Sequence, residues 1–117
     1  MGTTGNVLGI TGAFGYIGRR ILNRLKETED FDRIVSIDIK PPSNDLSDPF
    51  VCENCDIREA DRLYQICREA GVNMLMHLAF IAEPTRDPGF EYEVDVGGTQ
   101  NILDVCARLP IKKLVVA

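Results

Sequence analysis

Residues 6–18 read NVLGITGAFGYIG, and this stretch decides the fold. Asn6 to Ile10 is a short apolar run with the composition of a buried strand. Thr11 to Gly18 carries glycines at 12, 15 and 18, and a helical pattern starts at once. Gly12 can take backbone angles closed to other residues, so the chain can turn sharply off the strand. Gly15 has no side chain to hold an anion away from the backbone, and Gly18 lets the new helix pack closely on the sheet. The helix N-terminus then offers unpaired N–H groups and a partial positive charge. Strand, glycine turn and helix in this order make a site for the phosphates of a nucleotide. The spacing is G-x-x-G-x-x-G, and its weight comes from the strand before it and the helix after it.

Twenty residues beyond Gly18 a second apolar strand, Ile34-Val35-Ser36-Ile37, ends in Asp38. A dinucleotide fold puts there the carboxylate that holds the adenosine ribose hydroxyls. The plainer reading is a strand-turn-helix with Asp38 as a solvated strand end. Glycine turn and strand-end carboxylate together favour the nucleotide.

A chain of 117 residues has room for one domain with a core. Its net charge of −5 and pI near 4.8 argue against nucleic acid or an anionic membrane surface as partner. No apolar run approaches the ~20 residues that cross a bilayer. The start, Met-Gly-Thr-Thr-Gly, does not look like a signal peptide, and Asn6 weakens a myristoylation reading of Met1-Gly2.

Four cysteines stand at 52, 55, 67 and 106. Cys52 and Cys55 form one C-x-x-C, the pattern of a redox pair or half a zinc site. Zinc lacks a second such pair, and the sole histidine is His77. Redox use lacks a helix start to stabilise a thiolate, because the pair sits at a strand end. Structural thiols, no metal site and a reducing, cytoplasmic setting are the expectation.

Along the chain, Ile17, Ile21, Leu22 and Leu25 recur at helical spacing, which predicts a helix from Gly18 to about Glu29. Arg19, Arg20, Arg24 and Lys26 fall on its other face, a solvated stripe. The second strand covers about Arg33 to Asp38, and Lys40 to Asp45, with two prolines, reads as a loop. A short third strand is expected from Phe50 to Glu53. Asp56 then reads as an N-cap with Glu59 completing a capping box. The helix buries Leu63, Ile66, Cys67 and Ala70 and stops at Gly71.

Asn73 to Ala79 is nearly all apolar, as a parallel strand covered on both faces should be. After a loop with Pro84 and Pro88, Asp87-Pro88 supplies an N-cap and an N1 proline for a helix from about Gly89 to Arg108. Gly97-Gly98 inside it costs roughly 1 kcal/mol per glycine relative to alanine, so something should approach the backbone closely. Lys113 to Ala117 is a fifth strand. The alternation predicts an α/β fold, a Rossmann-type open parallel sheet in order 3-2-1-4-5 with helices on both faces, ending before a sixth strand.

These residues resemble the NAD-dependent epimerase/dehydratase branch of the extended short-chain dehydrogenase/reductase family. The likeness rests on Thr11-Gly12-Ala13-Phe14-Gly15-Tyr16-Ile17-Gly18, the strand ending at Asp38, Asp56-Ile57-Arg58 and His77-Leu78-Ala79-Phe80. A fifth segment, Asp95-Val96-Gly97-Gly98-Thr99-Gln100-Asn101-Ile102-Leu103, is similar to the family's N-V-x-G-T-x-N-L-L. The resemblance implies that residues 1–117 form an NAD(P)-binding domain. Gly12, Gly15 and Gly18, with the amides of Phe14, Tyr16 and Ile17, would hold the pyrophosphate. Asp38 would bind the ribose and favour NAD by repelling the extra phosphate of NADP, although Lys40 stands nearby. Asp56 and Ile57 would flank the adenine, and Leu78, Ala79 and Phe80 would line the cofactor. His77 reads as a packed strand residue. Asp95 replaces the family's Asn, a charge for an amide donor.

Family chemistry also needs a Ser or Thr beyond the fifth strand and a Y-x-x-x-K pair. Four residues after Tyr16, Tyr64 and Tyr92 stand Arg20, Arg68 and Val96, and the serines are Ser36, Ser43 and Ser47. A phenol with its ordinary pKa near 10 is a poor base at neutral pH. No catalytic residue is assigned. The leading expectation is the cofactor-binding portion of an epimerase/dehydratase-like oxidoreductase, acting on a substrate such as a nucleotide sugar. The alternative is a stand-alone dinucleotide-binding sensor that pairs with a partner or a second copy through the apolar edge Leu114-Val115-Val116.

Overall fold

The computed structural model describes residues 4–40, 47–81 and 85–117. Five strands, β1 (Val7–Thr11), β2 (Arg33–Asp38), β3 (Phe50–Asn54), β4 (Met74–His77) and β5 (Lys113–Val116), form one sheet. All pairings are parallel and the order is β3-β2-β1-β4-β5, as the element alternation predicts. β1 lies at the centre, with Gly9 between Val35 of β2 and Leu75 of β4. A Cβ on Gly9 would come within 3.0 Å of the Leu75 side chain, so the core is tight there.

Helices cover both faces. Leu22 of α1 (Tyr16–Leu25) packs with Leu8, Ile10, Ala13, Phe14 and Ile34 on one side. On the other, α2 (Ala60–Ala70) buries Leu63, Ile66 and Cys67 against Val35, Ile37 and Leu75. Two helical segments, α3 (Pro88–Tyr92) and α4 (Gly98–Arg108), are joined by a π-helical turn at Glu93–Gly97. Val94, Ile102 and Val105 from this continuous rod complete that core. β2 is buried from Ile34 to Asp38, as a parallel strand covered on both faces requires.

Several local expectations need correction. α1 stops at Leu25 rather than Glu29, because Glu27 and Thr28 amides close tight turns onto Arg24 and Leu25 carbonyls. Ile17 belongs to the apolar face by spacing, yet it is 54% exposed; Gly18 takes the buried place in the first turn. Gly18 is required by its own turn rather than by the sheet: a Cβ there would lie 2.4 Å from the Ala13 carbonyl oxygen. β4 ends at His77, and Leu78 and Ala79 lie beyond it.

Asp56 is not the N-cap of α2, which starts at Ala60 with Glu59 at the cap. It organises the turn one step earlier. Its N–H donates to Glu59 Oε1 at 2.9 Å, and its Oδ1 accepts from the Arg58 N–H at 2.9 Å. Gly71 ends α2 in the left-handed region at φ 72°, as expected. Asp87 caps α3 by accepting from the Phe90 N–H at 3.0 Å, with Pro88 behind it. The long helix expected to Arg108 is interrupted by the π turn. Of its two glycines, only Gly98 is crowded: a Cβ would sit 2.7 Å from Ile57 Cγ2, whereas Gly97 faces open space. Pro41 to Asp45 of the expected loop, Ser43, Pro84 and Met1-Gly2 lie outside the described residues.

Candidate functional site

The site is built at the carboxyl ends of β1, β2 and β4, where the glycine turn leaves the sheet. Gly12 has φ +66°, and a Cβ there would lie 2.8 Å from the backbone of Leu78. Conformation and close strand approach both demand glycine. Gly15 is different. It caps α1 in extended backbone at φ −76°, and a Cβ would meet nothing nearer than the Gly12 carbonyl oxygen at 3.4 Å. No contact among the described residues requires its missing side chain. The Tyr16 and Ile17 N–H groups open the first turn of α1, where no intrahelical acceptor exists, and they make no hydrogen bond among the described residues. The Tyr16 and Ile17 side chains stand exposed above the turn, at 77% and 54%.

Asp38 is buried at the end of β2 with both carboxylate oxygens engaged. Oδ2 accepts from the Phe14 N–H at 2.8 Å, and Oδ1 accepts from the Lys40 N–H at 3.0 Å. It thus ties the glycine turn to the second strand. The Phe14 amide, one of the expected pyrophosphate donors, points at Asp38 here, and the Phe14 ring is buried in the core below.

A cleft of about 290 Å³ runs from this turn across the strand ends. Gly12, Gly15, Asp38, Asp56, Ile57, Leu78, Ala79 and Phe80 all line it, so the structure brings eight of the residues singled out from sequence to one place. Phe14, Tyr16, Ile17 and Gly18 do not line it. Ile57 is pinned twice, by Gly98 packing on its side chain and by Asn101 Nδ2, which donates to its carbonyl at 2.9 Å. Asp56 takes the Arg58 guanidinium through Nη2 at 2.8 Å. Those hydrogen bonds hold its carboxyl below the usual carboxylate range, against a smaller opposing effect of burial. Arg58 also reaches Glu93 Oε2 at 3.2 Å and lies 4.9 Å above the Phe90 ring, so it straps the turn after β3 to the helical rod. Arg58, Phe90, Ile81 and Val94 also line the cleft. Sequence reading misses Phe90 and Val94 because the rod that carries them is brought over the strand ends only by tertiary packing.

On the opposite wall, Thr11 Oγ1 accepts from the Leu78 N–H at 3.0 Å and the Ala79 N–H at 3.2 Å. Thr11 also meets His77 Nδ1 at 2.6 Å, and His77 Nε2 lies 3.1 Å from Thr99 Oγ1. His77 is fully buried and packs on the Phe80 ring with centroids 4.6 Å apart. Burial pushes its pKa down to about 4, against a smaller upward pull from Asp95. The Asp95 charge that replaces an Asn amide is put to use: Oδ1 accepts from the Ile81 N–H at 2.8 Å.

The four cysteines are free thiols. Cys52 packs with the core on the α1 side of the sheet and Cys55 with the core on the α2 side, so this C-x-x-C does not present two sulfurs to one ligand. No group of metal-ligating side chains occurs among the described residues, and no described helix is long and apolar enough to cross a membrane. Val115 and Val116 on the β5 edge are 45% and 49% exposed.

Comparisons with known proteins bear on the fold and the family. A model of the 3-beta hydroxysteroid dehydrogenase/isomerase family matches residues 9–117. An uncharacterized epimerase/dehydratase of Staphylococcus aureus strain USA300 is 30% identical over 100 residues, covering 81% of this chain and 30% of that protein. A monomeric L-threonine 3-dehydrogenase from a metagenome, solved in its apo form, is 30% identical with a TM-score of 0.79 over 91% of this chain and 34% of its own. A uronate dehydrogenase variant from Agrobacterium tumefaciens, complexed with NAD, shares the fold at 21% identity with a TM-score of 0.82 over 96% of this chain and 40% of its own. The chain thus spans well under half the length of these relatives. By its sequence match and by this fold, the chain belongs to the 3-beta hydroxysteroid dehydrogenase/isomerase family, and it is similar to a curated epimerase/dehydratase.

Proposed function

We propose that this chain is the NAD(P)-binding portion of an epimerase/dehydratase-like oxidoreductase and that the cleft at the strand ends holds the dinucleotide. The observation that carries this reading is Gly15. Among the described residues no neighbour requires its missing side chain, and it lines the cleft next in sequence to two helix amides that have no partner among them. A close-lying pyrophosphate accounts for all three features. Gly12 and Gly18 shape the turn, and the Tyr16 and Ile17 amides would donate to the phosphates.

Asp38 would accept from the ribose hydroxyls. Its carboxylate has about four acceptor positions, two of which the Phe14 and Lys40 amides occupy. The same charge disfavours a 2′-phosphate, so NAD is the cofactor we assign. Asp56 and Ile57 would flank the adenine, and Leu78, Ala79 and Phe80 would carry the cofactor along β4. The nicotinamide would supply the hydride acceptor for a carbinol of the parent enzyme's substrate, with a nucleotide sugar as the class proposed. The Y-x-x-x-K pair of that chemistry is not among these 117 residues, so the role proposed for them is to bind the cofactor.

Calorimetric titration with NAD and NADP tests the proposal. Micromolar NAD binding that weakens for NADP supports it. A folded chain that binds neither dinucleotide overturns it.

A further inference from the structure

We propose that His77 is a positioning residue of this cleft: gripped at both ring nitrogens, it closes a circuit of hydrogen bonds that holds residues 78–81 in their cleft-lining shape. The inference rests on the dinucleotide reading of the cleft, because it gives that segment its purpose.

The circuit follows from counting protons. The Thr99 hydroxyl donates to the Asp95 carbonyl at 2.6 Å. A hydroxyl carries one proton, so Thr99 Oγ1 can only accept from His77 Nε2, 3.1 Å away. The imidazole is therefore protonated at Nε2. Nδ1 is left bare and accepts from the Thr11 hydroxyl at 2.6 Å. Thr11 Oγ1, having donated, uses its two lone pairs for the Leu78 and Ala79 amides. The Leu78 N–H is shared, reaching the Thr11 carbonyl at 3.1 Å as well as Oγ1. The other neutral tautomer would aim a proton at Thr11 Oγ1, which already accepts twice, and leave Nε2 facing a hydroxyl with no proton to offer.

From Thr99 the path returns through Asp95, whose Oδ1 holds the Ile81 N–H at 2.8 Å. Three amides of the segment, at 78, 79 and 81, are thus fastened at the two ends of one chain of bonds, and His77 is the link between those ends. Phe80, between the fastened amides, packs on the imidazole itself. Asp95 lies inside the π turn, so the circuit also ties that turn to the glycine strand. Such turns in helices frequently mark functional places. A valine or leucine would fill the strand position as well as histidine does by volume, but it would leave both hydroxyls without their partner.

His77 is the chain's sole histidine, so its ring nitrogens can be read without ambiguity in the 15N-labelled full chain. The expected spectrum at pH 7 is that of the neutral Nε2–H tautomer. An Nδ1–H tautomer or an imidazolium at pH 7 overturns the proposal, and this measurement needs no variant to fold. The second arm uses Thr99, which does not line the cleft. Thr99→Val should weaken NAD binding about tenfold, the worth of one buried hydrogen bond, and Thr99→Ser should restore it. A folded Thr99→Val chain with unchanged NAD affinity overturns the positioning role while leaving the dinucleotide reading intact. An unmodified chain that binds neither NAD nor NADP overturns both.

Discussion

The Phe14 amide donates to Asp38 Oδ2 across 2.8 Å, joining the glycine turn after β1 to the end of β2. One carboxylate therefore has two duties, shaping the turn and, as proposed, receiving the ribose. Asp38→Ala removes the acceptor and leaves a buried N–H unpaired, a loss of about 1–3 kcal/mol. Asp38→Asn keeps an oxygen for Phe14 and should lose less. Urea denaturation should rank unmodified above Asn above Ala. Calorimetry should show NAD affinity falling in both variants, with the preference over NADP relaxed as the charge disappears.

Gly12 and Gly15 predict opposite outcomes for the same substitution. Gly12→Ala puts a Cβ 2.8 Å from the Leu78 backbone at a positive φ, which costs about 1–2 kcal/mol by conformation alone. Its melting temperature should fall sharply. Gly15→Ala meets only ordinary contact, so its melting temperature should stay close to that of the unmodified chain. NAD affinity should nevertheless drop by about tenfold or more, since in the proposed binding mode the pyrophosphate approaches the backbone at Gly15 and a methyl group would stand in its way.

His77 makes the fold acid-sensitive in a defined window. Its pKa falls from an ordinary 6.5 to about 4 on burial, so the unfolded chain binds the proton more readily. The stabilisation is complete above about pH 6.5 and is lost as pH falls towards 4, by at most about 3 kcal/mol. Asp95, the charged neighbour, opposes the shift without cancelling it. Unfolding midpoints should decline between pH 6.5 and 4.5. A His77→Asn chain should show a shallower decline over the same interval.

The thiols should be slow to react. Burial pushes the Cys55 thiol up to about 11 and Cys67 up to about 12, and it raises Cys52 and Cys106 as well. The thiolate is the reacting species. Alkylation of the native chain at pH 7.5 should therefore leave Cys55 and Cys67 unmodified, with slow labelling confined to the half-buried Cys52 and Cys106. Denaturant should release all four.

Much of this molecule is written in short-range pattern. Residues 6–18 alone set a strand, a glycine turn and a helix start, and the alternation of elements led to the sheet order that the structure shows. Those features rest on interactions within a few residues, including apolar periodicity, caps at Asp87 and Gly71 and the freedom of Gly12. Tertiary contact decided the remainder. Helical spacing placed Ile17 inside, but Gly18 must press against the Ala13 carbonyl, and that rotates Ile17 out to solvent. Asp56 has the sequence of a helix cap, yet Arg58, drawn towards Glu93 and Phe90 across the cleft, holds it in a preceding turn. His77 reads as one more strand residue because its partners, Thr11 and Thr99, lie 66 and 22 positions away. Local propensity specifies elements and their order; which polar groups meet depends on contacts that form only when the sheet and helices pack.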